Sequence, residues 1–341
     1  MTSDAVPRNP HVVLGQTLRF VATRLLASVP VVALASVVVF VMVATSTDPL
    51  SGLRADPRVP AEVIEQRSRE LRLDRPVLVR YGLWAADAVR GDLGHSVADR
   101  PVGPLVWQRL QITLRMVLAG VVLGLVLAVA AGTVSALRQH RLTDHALSFA
   151  GLLLVSMPVF WLGALLKEFA AVRVNDWLGR QVVSTVGAST PNLSGGWWHR
   201  MSDYAGHLVL PTAALALTAG AVWSRYQRTA MIEALGADHV RLARAKGLSH
   251  ARVVVRHALR NALVPLTTVA AVDFAAVVGG AVVLERVFSW QGMGDLLLEG
   301  VRAGDVNVVA AWLLVTSVVV VLFNLLADAL YGVLDPRVGR G

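Results

Sequence analysis

Apolar residues run in six long blocks along the chain, and the polar residues collect between them. A spanning helix needs about 20 apolar residues to cover a hydrocarbon core of about 30 Å. Blocks of that order lie near 25–45, 112–137, 146–166, 207–224, 262–284 and 306–327. The fourth is short and carries Pro211, a kink that neighbouring helices can cover. The first follows Arg19 and Arg24 as a signal peptide would, but its apolar run is too long and five further blocks follow. The pattern predicts an all-α membrane protein with about six transmembrane helices. Residues 19–45 form an uncleaved first span, and 1–18 a disordered polar extension.

The polar intervals have structure of their own. Residues 46–111 are long enough for a helical subdomain after the first span. "PAEVIEQRSRELRL" predicts one helix starting at Pro60, with Val63, Arg67, Glu70 and Arg72 mixing charges around it. "PVLVRYGLWAADAVR" predicts another, with Val79, Leu83, Ala86 and Val89 as a buried stripe, and "GDLGHS" at 91–96 a turn. In the second span, Gly120, Gly124, Ala128 and Gly132 recur every four residues on one face, which lets another helix approach closely. Trp197 and Trp198, in a Gly- and Ser-rich loop, suit an aromatic belt at a membrane surface.

Composition adds orientation and exclusions. The chain is 55% hydrophobic and 16% charged, with a formal charge of +9. In so apolar a chain, positive charge points to the positive-inside rule before it points to nucleic acid. With the N-terminus inside, the inner segments 1–24, 138–145, 225–261 and 328–341 carry 3, 2, 8 and 2 basic residues. The outer loops 167–206 and 285–305 carry 4 and 2. The outer 46–111 segment holds 10 basic and 9 acidic residues, and long segments cross largely regardless of charge. An N-in, C-in, multi-pass protein of the cell membrane follows. Cysteine is absent, which excludes disulfides and thiolate metal sites. Neither lysine, Lys167 nor Lys246, sits in a phosphate-loop pattern. H-E-x-x-H and G-x-S-x-G are missing, and the nine histidines lack metal-ligand spacing. No catalytic or metal residue is assigned.

The inner segment 228–263 is the most patterned. "RTAMIEALGADHVRLARAKG" predicts a helix ending at Gly247, where glycine can take the left-handed conformation that closes a helix. Arg244 and Lys246 suit the negative pole of its dipole. Ser249 is a candidate N-cap for a second helix. In that helix Val255, Ala258, Leu259 and Ala262 fall on an apolar face, and Arg252, Arg256 and Arg260 form a basic stripe running into span five. A short helix, a glycine turn and a basic helix make an elbow. Ala243 and Ala245 keep its first arm slim enough to enter a partner's groove. A solvated loop that only sets topology has the same composition.

"DHVRLARAKGLSHARVVVRHALRNALVP" resembles the cytoplasmic coupling loop of binding-protein-dependent ABC importer permeases, most closely in the dipeptide and oligopeptide branch. The resemblance runs from about Phe20 to Val338. "RLLASVPVVALASVVVFVM", "LRLDRPVLVRYGLW" with "GDLGHS", "SMPVFWLG", "HLVLPTAALAL", "GGAVVLERVFSWQGMGDLL" and "NLLADALYGVLDPRV" follow in the family's order. The general motif's Glu-Ala-Ala falls here on Arg241, Leu242 and Ala243, and its late Pro on Arg260, as in the peptide branch. "LLKEFAAV" in span three departs from a usually apolar segment.

The resemblance implies an importer transmembrane domain over 112–338 with its coupling loop at 228–263. It implies a homologous second permease, two ABC ATPase subunits carrying ATP and Mg, and an extracytoplasmic substrate-binding protein. No cofactor is expected on this chain. Arg241, Ala243, Ala245 and Gly247 would enter the ATPase groove. Arg252, Arg256, His257, Arg260 and Asn261 would hold the elbow to the ATPase or the membrane face. Asp273, inside span five, faces either the path or a helical partner, since a carboxylate at that depth costs about 2.5–3.5 kcal/mol. Lys167 and Glu168 would pair or reach the interface. Glu285, with Trp290, Gly292 and Gly294 of "SWQGMG", belongs by resemblance near an outer gate. The expected cargo is a di- or oligopeptide, with nickel, glutathione or another small solute as the alternative within the family. A secondary transporter would show inverted repeats or more intramembrane charge, and an intramembrane enzyme a catalytic set.

Overall fold

The computed structural model describes the backbone of residues 10–179 and 182–334, and side chains within 23–169, 173–179, 182–327 and at 329. It is all-helical. The helices are α1 (Pro10–Ser46), α2 (Ser51–Ala55), α3 (Ala61–Glu70), α4 (Val77–Val89), α5 (Val102–Leu137), α6 (Leu142–Ser156), α7 (Val159–Leu165), α8 (Val172–Leu178), α9 (Trp197–Gly236), α10 (Asp238–Ala245), α11 (His250–Arg252), α12 (Arg260–Val287), α13 (Met293–Arg302) and α14 (Val306–Leu334). π-helical segments, Leu166–Ala171 and Val253–Leu259, join α7 to α8 and α11 to α12. Among the described residues five helical stretches are long and apolar enough to cross a membrane, and six if the bent pair α6 and α7–α8 counts as one span.

Three boundaries differ from expectation. Helix α1 begins at Pro10, so residues 10–18 are helical, while 1–9 lie outside the described residues. Helix α5 begins at Val102, ten residues before the apolar block it carries. The third span is broken by a 105° bend between Leu142–Ser156 and Val159–Leu178. Its cause is Pro158. A residue before proline is pushed out of the helical region, and Met157 sits extended at ψ 128°. Pro211, by contrast, is buried within an unbroken α9.

The core is the seam between α5 and α9. Gly120, Gly124, Ala128 and Gly132 are all buried and admit α9 to backbone contact. A Cβ on Gly120 would lie 2.9 Å from Leu215 Cβ. One on Gly132 would lie 2.6 Å from the Ser224 carbonyl and 2.7 Å from Gln227 Cβ. Gly220 returns the contact: a Cβ on it would lie 3.0 Å from the Gly124 carbonyl. Helix α12 packs across this seam through Leu266, Ala270, Phe274 and Ala281. Phe274 stacks on Phe323 of α14 at 3.6 Å between ring centres.

The 46–111 subdomain sits against α1 and α14. Helix α4 buries Val77, Tyr81, Trp84, Ala85 and Ala88 against Phe40, Val306 and Ala310. This differs from the expected stripe: Val79 and Val89 are exposed, the latter 90%. The aromatic pair Tyr81 and Trp84 meets Phe40 and sets the inward face. Arg67 of α3 is buried rather than surface-mixed. It donates to the Ser96 carbonyl at 2.6 Å and to the carboxylates of Asp99 (2.9 Å) and Glu70. Asp305 ties the subdomain to α14, accepting from Val97 N–H at 2.6 Å and Val308 N–H at 3.1 Å. Burial pushes the Asp305 carboxyl above the usual carboxylate range.

Gly132→Leu is expected to destabilise the chain by about 1–3 kcal/mol, the usual cost of overpacking. Gly279→Ala, where a Cβ meets nothing within 4 Å, should leave stability unchanged or slightly raised. Thermal unfolding in detergent compares the two.

Candidate functional site

The elbow forms between α9 and α12. The expected single helix over 228–247 is two helices, α9 ending at Gly236 and α10 starting at Asp238, because Ala237 is extended at ψ 148°. Helix α10 closes as expected at Gly247, whose φ is +74°. Gly247 N–H donates to the Arg244 carbonyl (2.9 Å) and Leu248 N–H to the Ala243 carbonyl (3.4 Å), the paired bonds of a Schellman turn. Ser249 sits at the N-cap position, but its side chain makes no capping bond.

The elbow's two faces differ. Val240 and Ala243 point inward and pack with Ala230, Met231, Ala234, Val253, Val254, Ala258 and Ala262. Ala243 is therefore 4% exposed; it is part of the elbow's own core, not a slim outer edge. Arg241, Leu242, Arg244, Ala245 and Lys246 face out, and Leu242 is 56% exposed. Arg241 lies 3.8 Å from Asp238. On the second arm Val255, expected inside, is 62% exposed. The π-helical turn takes an extra residue, so Val253 and Val254 become the inner face instead. Arg252, Arg256 and Arg260 remain exposed, and His257 is half-buried. Asn261 Nδ2 donates to His239 Nε2 at 2.9 Å, pinning the second arm to the first. His239 carried no sequence signal, because one histidine in a polar helix has no pattern.

The seam is clamped beside the elbow by a cluster that sequence reading missed. Arg228 donates from Nε and Nη2 to the two oxygens of Asp144, each at 2.8 Å. Ser135 donates to the same carboxylate, and His140 N–H reaches it at 3.0 Å. This two-pronged pair joins α5, α6 and α9, and Asp144 is buried. Residues 84 apart in sequence leave no local periodicity to read.

At the opposite end, Glu285, Trp290, Gly292 and Gly294 do meet, in one closed turn. Glu285 is 0% exposed. Its carboxylate receives Gly294 N–H at 2.7 Å, Asp295 N–H at 3.4 Å and the Thr113 hydroxyl. Thr113 accepts Met293 N–H at 2.8 Å. Glu285 thus supplies acceptor oxygens to the unpaired N–H groups at the N-terminus of α13. Any Cβ on Gly292 would collide with Glu285 and Thr113. Trp290 is buried, and its backbone N–H donates to the Glu285 backbone carbonyl at 2.7 Å. Arg109 adds a bond to the Gln291 carbonyl at 2.7 Å. Asp273 stands apart from this turn and accepts Trp223 Nε1–H at 3.0 Å, which is the interhelical alternative. Lys167 donates to the Val287 carbonyl at 3.1 Å, and Glu168 is exposed.

Residues 120–340 match the family described as "Binding-protein-dependent transport system inner membrane component". The chain belongs to that family: it is the non-catalytic, multi-pass membrane component of such a transport system. Among its relatives is the oligopeptide transport system permease protein OppB of Mycobacterium tuberculosis, 42% identical over 94% of this chain and 98% of that one. The oligopeptide permease AppB of Bacillus subtilis is 33% identical over 94% and 98%, and the glutathione permease GsiC of Escherichia coli 34% over 94% and 99%. A chain of a crystallised amino acid ABC transporter aligns at TM-score 0.46 and 14% identity, over 67% of this chain and 93% of that one.

Asp144→Ala leaves Arg228 beside an empty, partly buried site, and breaking such a pair costs about 3–5 kcal/mol. The expected readout is a marked loss of thermal stability, with Gly279→Ala as the unperturbed comparison.

Proposed function

We propose that this chain is a permease subunit of an ATP-driven importer of oligopeptides and supplies half of the translocation path. A homologous permease supplies the other half. Two ATPase subunits dock on the elbow side, and an extracytoplasmic protein delivers the cargo. The observation that supports the cargo is the 42% identity, over 94% of the chain, to an oligopeptide permease. ATP and Mg belong to the ATPase subunits.

The elbow's outer face is the docking surface in this reading. Leu242 is its apolar contact. Arg241, Ala245 and Gly247 form the turn around it, and Arg252, Arg256 and Arg260 supply charge toward an acidic rim. Ala243, His257 and Asn261 act from behind, holding the two arms together. The motion has a physical route, because helix runs from His250 through the π-helical turn to Val287 without a break. Its far end carries Glu285 and the turn before α13. A push on the elbow therefore reaches the opposite end of α12. For transport the path needs two packings with different affinities for cargo and nucleotide. Asp273 and Glu285 serve as packing residues of that helix.

The test is uptake of a labelled tetrapeptide into proteoliposomes holding the assembled transporter with its binding protein. Uptake is expected to require ATP. Leu242→Asp should lower it at least tenfold while the two permeases still co-purify. ATP-dependent uptake of glutathione with none of peptide would move the cargo to the alternative within the family. Normal uptake by Leu242→Asp would remove the docking assignment.

A further inference from the structure

Residues 182–190, between α8 and α9, form no helix of their own, yet they are bonded to three separate elements. On α8, Asn175 Oδ1 accepts Val182 N–H at 2.9 Å and Val183 N–H at 3.0 Å, and its Nδ2 donates to the Val183 carbonyl at 2.8 Å. On α9, the Gly206 carbonyl accepts Ser184 N–H at 3.1 Å. Asp203 accepts Thr190 N–H at 2.9 Å and the Thr190 hydroxyl at 2.5 Å. Just past α12, the Phe288 carbonyl accepts Gly187 N–H at 2.8 Å. The backbones of α9 and the segment touch: a Cβ on Gly206 would collide with the Val182 carbonyl. Val183 is the one buried side chain of the segment, and it joins the core cluster that holds Leu210, Phe288 and Trp290.

The segment bridges α12 and α9 at the end opposite the elbow. There α12 bonds to α5 through Glu285 and Thr113, and to Lys167 through the Val287 carbonyl. Among the described residues no direct hydrogen bond joins that end of α12, or the turn after it, to α9. The link runs through Gly187 on one side and Ser184 and Thr190 on the other. One buried side chain and a short row of hydrogen bonds make a weaker hold than the continuous α5–α9 seam. Segments with few buried apolar contacts open locally while the helices around them stay folded. We propose that residues 182–190 are a release strap. The strap latches the far end of α12 to α9 in the conformation seen here, and it parts when a push on the elbow moves that end. This rests on the import reading above and adds the contact that has to break within it.

The experiment closes the strap covalently. The chain has no cysteine of its own, so Thr190→Cys and Asp203→Cys are introduced together in the transporter assembled with cysteine-free partner subunits. A short methanethiosulfonate linker joins them, and dithiothreitol releases them. ATP-dependent uptake of a labelled tetrapeptide into proteoliposomes is measured in the linked and the released state. Linking is expected to lower uptake at least tenfold, only when both cysteines are present, and release to restore it. A strap that served structure alone would transport equally well when linked. A second measurement covers the case in which the double variant does not assemble. Val183→Cys in the complete transporter in nanodiscs is treated with a polar maleimide. Labelling is expected to be slow at rest and at least fivefold faster during turnover with ATP, binding protein and peptide. Asn175→Ala should speed labelling at rest. Equal uptake in the linked and released states, or a Val183→Cys labelling rate unchanged by turnover, would overturn the strap and leave the import reading standing. Absence of ATP-driven uptake by the unsubstituted transporter would remove the import reading and the strap's role with it.

Discussion

The backbone contact between α5 and α9 is what the rest of the fold is hung on. In lipid, apolar side chains gain little by leaving the tails, so helices associate through close packing and a few polar contacts. Glycines at 120, 124 and 132 bring the two helices together until side chains of one meet the backbone of the other. Near one end, Arg228 and Asp144 clamp the seam and bring in α6. Across its middle lies α12, joined through Asp273 and Trp223. At the other end, Thr113 of α5 holds Glu285 of α12 and so the turn before α13. Each of these polar contacts joins separate helices.

The proposed coupling asks α12 to carry motion without loosening the protein, and this arrangement is compatible with that. Helix α12 is anchored to α9 in its middle and to α5 at its far end, and its near end begins in the elbow. The π-helical turn at Val253–Leu259 sits where elbow becomes span. Such turns strain the regular hydrogen-bond ladder and recur at functional places. Here it rotates the elbow's second arm so that Val253 and Val254 face inward and Val255 outward. The elbow is thus a packed unit with its own small core, attached to the spans rather than trailing from them.

Much of this was legible in the sequence. Hydrophobic length located the spans because the bilayer imposes that length. The stripe at 120, 124, 128 and 132 foretold the seam because close approach admits only small residues. Gly247 foretold a helix end because its backbone needs positive φ. The errors have particular causes. Val255 was placed by counting along an ideal helix, whereas the π-helical turn rotates the faces; Ala243 was read as a slim outer edge from its size alone, and size does not say which face a small residue takes. Pro158 broke a span because backbone geometry overrode a continuous apolar pattern. Arg228 with Asp144, Thr113 with Glu285, and Asn261 with His239 join residues far apart in sequence, and no single segment announces such a partner. Glu285 was set near an outer gate by family resemblance alone; nothing local in the sequence announced that its carboxylate would be filled by the Gly294 and Asp295 N–H groups and the Thr113 hydroxyl.

The central claim is that the elbow presents one face to an ATPase subunit and packs the other against its own spans. The absence of cysteine from the natural chain makes the test direct. Single cysteines at Leu242 and at Val240, two residues apart on opposite faces, are placed in the assembled transporter. Each is treated with a short thiol cross-linker alongside cysteines introduced across the ATPase surface. The account predicts a cross-linked permease–ATPase product for Leu242→Cys, altered in yield by ATP, and none for Val240→Cys. Equal products from both positions, or none from Leu242→Cys in an assembly that still transports, would contradict it.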